Sequence, residues 1–171
     1  MNAGVSTESP LWKRVALGRD PRRTLWRVAV LVCIGLMLWR VTVPVRVSGV
    51  SMEPTLASGR IVVINRLAYL AGTPQRGDVV AIRWAGNRAW LLKRVVALPG
   101  ERFGITGNTV RVDGRPVAEP WAQWGGEAWT AKEQTLEADE YLVIGDNRAM
   151  PQSEHEFGRV RRARILGKAW F

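Results

Sequence analysis

Two short segments carry the side chains best suited to breaking a covalent bond. Val50-Ser51-Met52-Glu53-Pro54-Thr55-Leu56 sets a serine beside a proline that a helix does not tolerate. Lys93-Arg94-Val95-Val96-Ala97-Leu98-Pro99-Gly100-Glu101 sets a lysine inside an apolar run. A serine hydroxyl is a weak nucleophile until a base takes its proton, and a lysine is such a base only as the free amine. Burial favours the free amine and can bring a lysine pKa from about 10.4 toward 7 or 8. Leu91, Leu92, Val95 and Val96 would supply the apolar surroundings, and the pair is expected to act as a serine nucleophile activated by lysine.

The backbone around Ser51 fits that task. Gly49 stands two residues before it and Pro54 three after, which gives a tightly turned chain that can expose the hydroxyl. The same turn can aim N–H groups at a developing oxyanion, where one well-placed donor contributes about 3 to 4 kcal/mol of barrier reduction. Taken alone, the segment reads equally as an ordinary Ser/Pro turn. For Lys93 the strand pattern puts Leu91, Lys93 and Val95 on one face and Leu92, Arg94 and Val96 on the other. One of the two charges must then point inward or lie at an edge, and the periodicity leaves open which. If both lie at the rim with only their stems covered, neither does chemistry.

These residues must be held by some architecture. The chain has 171 residues, 47% of them hydrophobic, which suits one compact domain and a short extra segment. A single cysteine, Cys33, excludes an internal disulfide, and a single histidine, His155, leaves no Cys/His cluster for zinc. No metal or cofactor is implied. The formal charge of +10 would suit nucleic acid or an anionic lipid surface, and its distribution favours lipid. Lys13, Arg14, Arg19, Arg22, Arg23 and Arg27 face only Glu8 and Asp20 before an uncharged, mostly apolar run from Val28 to Trp39.

Leu25 to Val45, with Arg27 and Arg40 just inside its ends, matches the roughly 20 residues a helix needs to cross the hydrocarbon core if both arginines snorkel. Trp26 and Trp39 fit the interfacial aromatic belt. A retained anchor is favoured over a cleaved signal peptide, for which no clear Ala-x-Ala site follows, and over a buried soluble helix. Cys33 is then an inert lipid-facing or core residue. The expected organisation is a basic cytoplasmic N-terminus (1–24), a single-pass anchor (25–45) and a β-rich domain (46–171) on the extracytoplasmic side of the cell membrane, following the positive-inside bias.

After Val45 the pattern changes to short β-branched runs: 60–65, 78–84, 89–97, 109–112 and 140–144. Ser58-Gly59, Gly72-Thr73-Pro74, Gly77-Asp78, Pro99-Gly100, Asp113-Gly114 and Gly145-Asp146 separate them, and Asp113-Gly114 between Val112 and Val117 reads as a hairpin. The expected class is mainly β, a barrel-like all-β domain behind the N-terminal helix. Residues 121–135, rich in Trp and Gly without period two, read as an insertion or long loop. Its tryptophans are expected to cover the sheet, with a place at the membrane headgroups as the alternative.

Ser51-Met52-Glu53-Pro54-Thr55-Leu56, Arg76-Gly77-Asp78-Val79-Val80, Lys93 to Glu101 and Gly145-Asp146-Asn147-Arg148, in this order behind an anchor, resemble the type I signal peptidase family. The likeness covers about Val47 to the C-terminus. It implies a membrane-bound serine endopeptidase that removes signal peptides from exported preproteins, with Ser51 as nucleophile and Lys93 as base. It also implies that Lys93 returns the proton to the leaving amine, that Met52 helps cover the lysine, and that the Ser51 N–H stabilises the oxyanion. Gly49 stands where some members add a serine hydroxyl. Asp146, Asn147 and Arg148 are implied as support. Shallow pockets for small residues before the cut are implied near Val47, Ser48 and Val50 and near Ile82, Arg83 and Trp84. The partners implied are preprotein signal peptides and membrane lipids, not nucleic acid; the oligomeric state stays open.

The chain departs from that pattern after Arg148, where the family's Ser-x-Asp-Ser-Arg is replaced by Pro151, Ser153, Glu154 and His155. Pro151 cannot supply the hydroxyl that meets the lysine in the family, so Lys93 is expected to be oriented by water or another hydroxyl. Asp146 is expected to lack its arginine partner, because His155 stands in that place. A Ser–His arrangement using His155 is the lesser alternative, since Lys93 already accounts for the base, and His155 is expected instead in a solvated or hydrogen-bonded support role. A dedicated maturation peptidase for one secreted or conjugation-related substrate, an inactive anchored relative, and a soluble self-cleaving Ser/Lys repressor remain as competing functions. The anchor argues against the last.

Overall fold

The structure is a computed structural model that describes residues 20–84, 89–155 and 158–171. The expected basic residues Lys13, Arg14 and Arg19 lie outside them. The chain divides into two units, Met1–Arg40 and Val41–Phe171.

In the first unit, helix α1 spans Pro21–Val41. Asp20 starts it, its carboxylate accepting from the Arg22 N–H at 3.1 Å, and Pro21 takes the first helical position, where a missing N–H costs nothing. Twenty-one residues at about 1.5 Å each give about 31 Å, the thickness of a hydrocarbon core. None of its residues is buried. The helix ends four residues before the expected Val45. Thr42-Val43-Pro44-Val45, β-branched and carrying a proline, instead form part of a strand.

The second unit is mainly β, as expected from the short runs. Strand β1 (Thr42–Arg46) pairs antiparallel with β2 (Ile61–Asn65). The long excursion between them is closed at its base by Val47 N–H to Arg60 O, 2.8 Å, and Gly59 N–H to Val47 O, 2.9 Å. Strands β3 (Val79–Trp84) and β4 (Ala89–Ala97) form a hairpin with Val80 opposite Lys93. A second sheet contains β5 (Arg102–Thr106), β6 (Thr109–Val112), β7 (Arg115–Pro116) and β9 (Thr130–Thr135), and β8 (Gln123–Trp124) pairs in parallel with β11 (Asn147–Arg148). With β10 (Glu140–Ile144), β12 (Gly158–Arg161) and β13 (Ile165–Trp170), the main sheet runs β1-β2-β13-β3-β4-β10-β12. Asp113 and Gly114, both at positive φ, make the predicted β6–β7 hairpin turn.

Residues 121–135 are not a plain loop. They contribute β8 and β9, the latter zipped to β5, although their polar composition hides a period of two.

The core explains why alternation misleads at β3, β4 and β10. Val80, Ile82, Val95 and Val143 pack in one cluster, Val79 and Ala81 join Val62, Ile64, Met52 and Leu56 in another, and Val96, Leu142 and Ile144 meet the second sheet in a third. These central strands are covered on both faces, so a charged residue on either face lies inside. Lys93 and Arg94 are both buried, at 2% and 8% exposure, whereas the pattern placed only one of them inward.

Candidate active site

Ser51 stands on the turn that leaves the β1–β2 excursion, half-buried, and Lys93 reaches it from the middle of β4. The Lys93 Nζ donates to Ser51 Oγ at 3.0 Å. Met52, beside the serine, is buried. A deeply buried amine within bonding distance of a hydroxyl is the geometry by which a free amine takes a serine proton.

The turn is gripped from behind by the segment following β10. Asn147 N–H donates to Ser51 O at 3.1 Å and its side-chain amide to Val50 O at 3.1 Å. The Thr55 hydroxyl donates to Asp146 at 2.6 Å. Gly145 is the contact point: a Cβ built there would stand 2.2 Å from Ser51 O. Only glycine lets the two main chains approach so closely. The sequence places Gly145 in a motif, but nothing in its spelling reveals that steric role.

Asp146 does have an arginine, contrary to expectation, because the partner comes from β4. Arg94 Nε and Nη2 donate to its two carboxylate oxygens at 2.8 and 2.6 Å, and Arg94 Nη1 to Gly77 O at 2.7 Å. Both ions are buried, so this fork joins strand β4 to the nucleophile's turn with satisfied charges. Arg148, fully buried, donates to Gly145 O at 2.7 Å and to Glu119 at 2.6 Å. The tryptophans of 121–135 cover these cations. Trp121 lies 4.6 Å from the Arg94 guanidinium, and Trp124 and Trp129 lie 4.9 and 5.8 Å from that of Arg148.

His155 is buried, not solvated. Burial, then the charges of Lys93 and Arg148, hold its imidazole down to about 3, with the Asn147 main chain pulling the other way. It is therefore neutral near neutral pH.

Two small cavities adjoin the pair, with Leu91 bordering both. The first, about 100 Å³, lies between the nucleophile's turn and β4, against Val47, Ser48, Gly49, Ser51, Met52 and Trp90. The second, about 140 Å³, is lined by Ile82, Trp84, Lys93, Val143 and Val160, comparable to the roughly 150 Å³ apolar cavity that holds a benzene ring. Of the expected walls, Val50 and Arg83 line neither. Val50 is exposed at the tip of the turn, and alternation turns Arg83 outward from Ile82. Leu91 and Leu92, expected as apolar surroundings of the lysine, also serve as walls, and Trp90, Val143 and Val160 are walls the motifs do not single out. Gly49, at φ 93°, has nothing within 4 Å of a built Cβ, so its glycine answers to backbone conformation rather than to crowding. Among the described residues no group of His, Cys, Asp and Glu could hold a metal.

The family model described as signal peptidase, peptidase S26, matches residues 22–171. A signal peptidase I of Bacillus caldolyticus is 33% identical over 88% of this chain and 88% of its own. One of Leptolyngbya laminosa is 34% identical over 70% of this chain, which spans 62% of that relative's length. The crystal structure of a signal peptidase I from Enterococcus faecalis V583 aligns at 24% identity over 56% of this chain and 96% of that one, with a TM-score of 0.45.

Proposed function

Because the chain belongs to the signal peptidase S26 family, we propose that it is a membrane-anchored serine endopeptidase cleaving signal peptides from exported preproteins after small residues. Ser51 is the nucleophile and Lys93 the general base. The observation that carries this reading is the 3.0 Å contact between a buried amine and the serine hydroxyl.

In the first step Lys93 Nζ accepts the Ser51 proton as Oγ attacks the scissile carbonyl, and the ammonium so formed gives that proton to the leaving amine. The acyl-enzyme is then opened by water, again with Lys93 as base. Asp146, Asn147 and Arg148 hold the turn and touch no reacting atom. The cavity of about 100 Å³ beside Ser51 supports the small-residue preference, since it is smaller than the roughly 150 Å³ that accommodates a benzene ring. Helix α1 has the length and composition to cross a membrane, which fits a substrate whose own signal segment is apolar. The basic N-terminus would remain cytoplasmic and the β domain would lie on the other side of the cell membrane.

The test is cleavage of one preprotein by wild type, Ser51→Ala, Lys93→Ala and Lys93→Arg in parallel. All three variants should fold and lose about 10⁴-fold or more in turnover, and arginine should not rescue because it does not deprotonate. Turnover retained in Lys93→Arg would remove Lys93 as the base. A dedicated maturation role is the second reading, favoured by the departure at Pro151 to His155. Normal bulk preprotein processing after depletion of the chain would select it.

A further inference from the structure

The two cavities beside the reactive pair differ in which of its members they touch. Among the described residues, the cavity of about 100 Å³ has Ser51 in its wall and not Lys93, and that of about 140 Å³ has Lys93 and not Ser51. Leu91, two residues before Lys93 on the same face of β4, is a wall of both. The two lie over separate parts of the core. Val47 and Met52 of the smaller cavity pack in one buried cluster, and Ile82, Val143 and Val160 of the larger pack in another.

The larger cavity is apolar in character. Ile82, Leu91, Val143 and Val160 present aliphatic carbon, and Trp84, 42% exposed at the end of β3, puts one wall at the surface. Arg159 also borders it, but its Nε donates to Glu140 at 2.8 Å, so its charge is already answered. Gly158 keeps its side of the cavity clear, since a Cβ built there would meet nothing within 4 Å. The space of about 140 Å³ therefore suits an apolar side chain up to about the size of a ring.

A peptide bond under attack has two sides that end on different groups. The carbonyl carbon becomes bonded to Ser51 Oγ, the C–N bond breaks, and the nitrogen takes the proton held by Lys93 Nζ and departs as a free amine. The residue carrying that nitrogen is thus held beside Lys93, and the residue carrying the carbonyl beside Ser51. In an extended chain their side chains point to opposite sides, as two cavities on either side of Leu91 require. The second residue before the cut also points away from the first, but it lies beyond the carbonyl, on the side away from Lys93. We propose that the cavity of about 140 Å³ receives the side chain of the first residue after the cut and favours an apolar one about the size of leucine. This rests on reading Ser51 and Lys93 as nucleophile and base. Ile82 and Trp84, implied by the family likeness as walls for residues before the cut, are then walls for the residue after it.

The test is kcat/KM of the full chain in detergent on one preprotein whose first residue after the cut is made Ala, Leu, Asp or Trp. Leu should be cleaved at least about 10-fold better than Ala or Asp, and Trp, too large for the space, no better than Ala. The same four residues placed second before the cut should differ by less than about 3-fold. Val160→Phe fills the cavity and should bring the Leu-to-Ala ratio down to within about 3-fold of one. Trp84→Ala widens it at its exposed wall, away from the core, and should raise Trp relative to Leu by about 10-fold. Each ratio compares substrates on one enzyme, so a partly folded preparation leaves it unchanged. Equal rates for Ala and Leu after the cut, a preference that follows the second residue before it, or ratios unmoved in both variants would overturn the proposal while the peptidase reading stands. Absence of Ser51-dependent cleavage of every one of these substrates would bring down the peptidase reading and the proposal with it.

Discussion

Gly145→Ala tests whether the Ser51 turn is held by contact with the segment after β10. The new methyl would stand 2.2 Å from Ser51 O, while ordinary contact begins near 3.4 Å, so the two main chains must part by about 1 Å. Overpacking of this kind costs about 1 to 3 kcal/mol, or about 2 to 4 °C of Tm per kcal/mol at this chain length. The larger effect should be on rate. The parting acts directly on the residue whose Oγ lies 3.0 Å from Lys93 Nζ, and a displacement of about 1 Å can cost about 100-fold. Gly167→Ala is the matched control, because its methyl would stand 2.3 Å from Asn65 O on β2, where β13 crosses it. Both variants should lose similar Tm, measured by thermal melting, but only Gly145→Ala should lose about two orders of magnitude in kcat on a preprotein substrate. Equal rate losses in the two, or an unimpaired Gly145→Ala, would refute the reasoning.

Asp146→Ala leaves the Arg94 guanidinium buried without its carboxylate and should destabilise the fold by about 3 to 5 kcal/mol, read from urea unfolding; a change under 1 kcal/mol would show that Arg94 finds water instead. For His155 the folded pKa lies below the unfolded 6.5, so its contribution to stability is complete above pH 6.5 and is lost as pH falls from there toward 3. Stability should decline in that window by up to about 1.4 kcal/mol per pH unit, and His155→Gln should flatten it. At Asp78, burial raises the pKa, but hydrogen bonds from Lys168, Gln75 and Tyr69 outweigh it and hold the carboxyl below its ordinary 3.8. Its stabilisation is present above that value and lost below it, so Asp78→Asn should remove part of the acid loss seen under about pH 4.

Five strands, β2, β3, β4, β6 and β10, could be read from sequence because they are β-branched runs bounded by Gly, Pro and Asp, whereas β1, β5, β9, β12 and β13 could not. The serine–lysine pairing was legible too, since both segments have an unusual composition for their surroundings. Three things were hidden, each for a reason of distance or coverage. Alternation left open which of Lys93 and Arg94 points inward because it assumes one wet face, and both are buried. The meeting of Arg94 with Asp146 joins residues 52 positions apart, beyond the reach of any local pattern. The tryptophans of 121–135 looked like loop residues because what they cover is a set of arginines, not a run of aliphatic side chains. The end of α1 was misplaced since hydropathy does not distinguish a helical valine from one in a strand.

The main sheet runs β1-β2-β13-β3-β4, so the strand pair bearing the serine and the hairpin bearing the lysine are stitched together by Ile165–Trp170, which leaves the ribosome after every other strand. A chain interrupted before residue 165 keeps both reactive groups and the grip of Asp146 and Asn147 on the turn, but lacks the strand that joins β2 to β3. The full alignment of the two side chains is therefore a late product of folding, completed only when the last strand slots between β2 and β3.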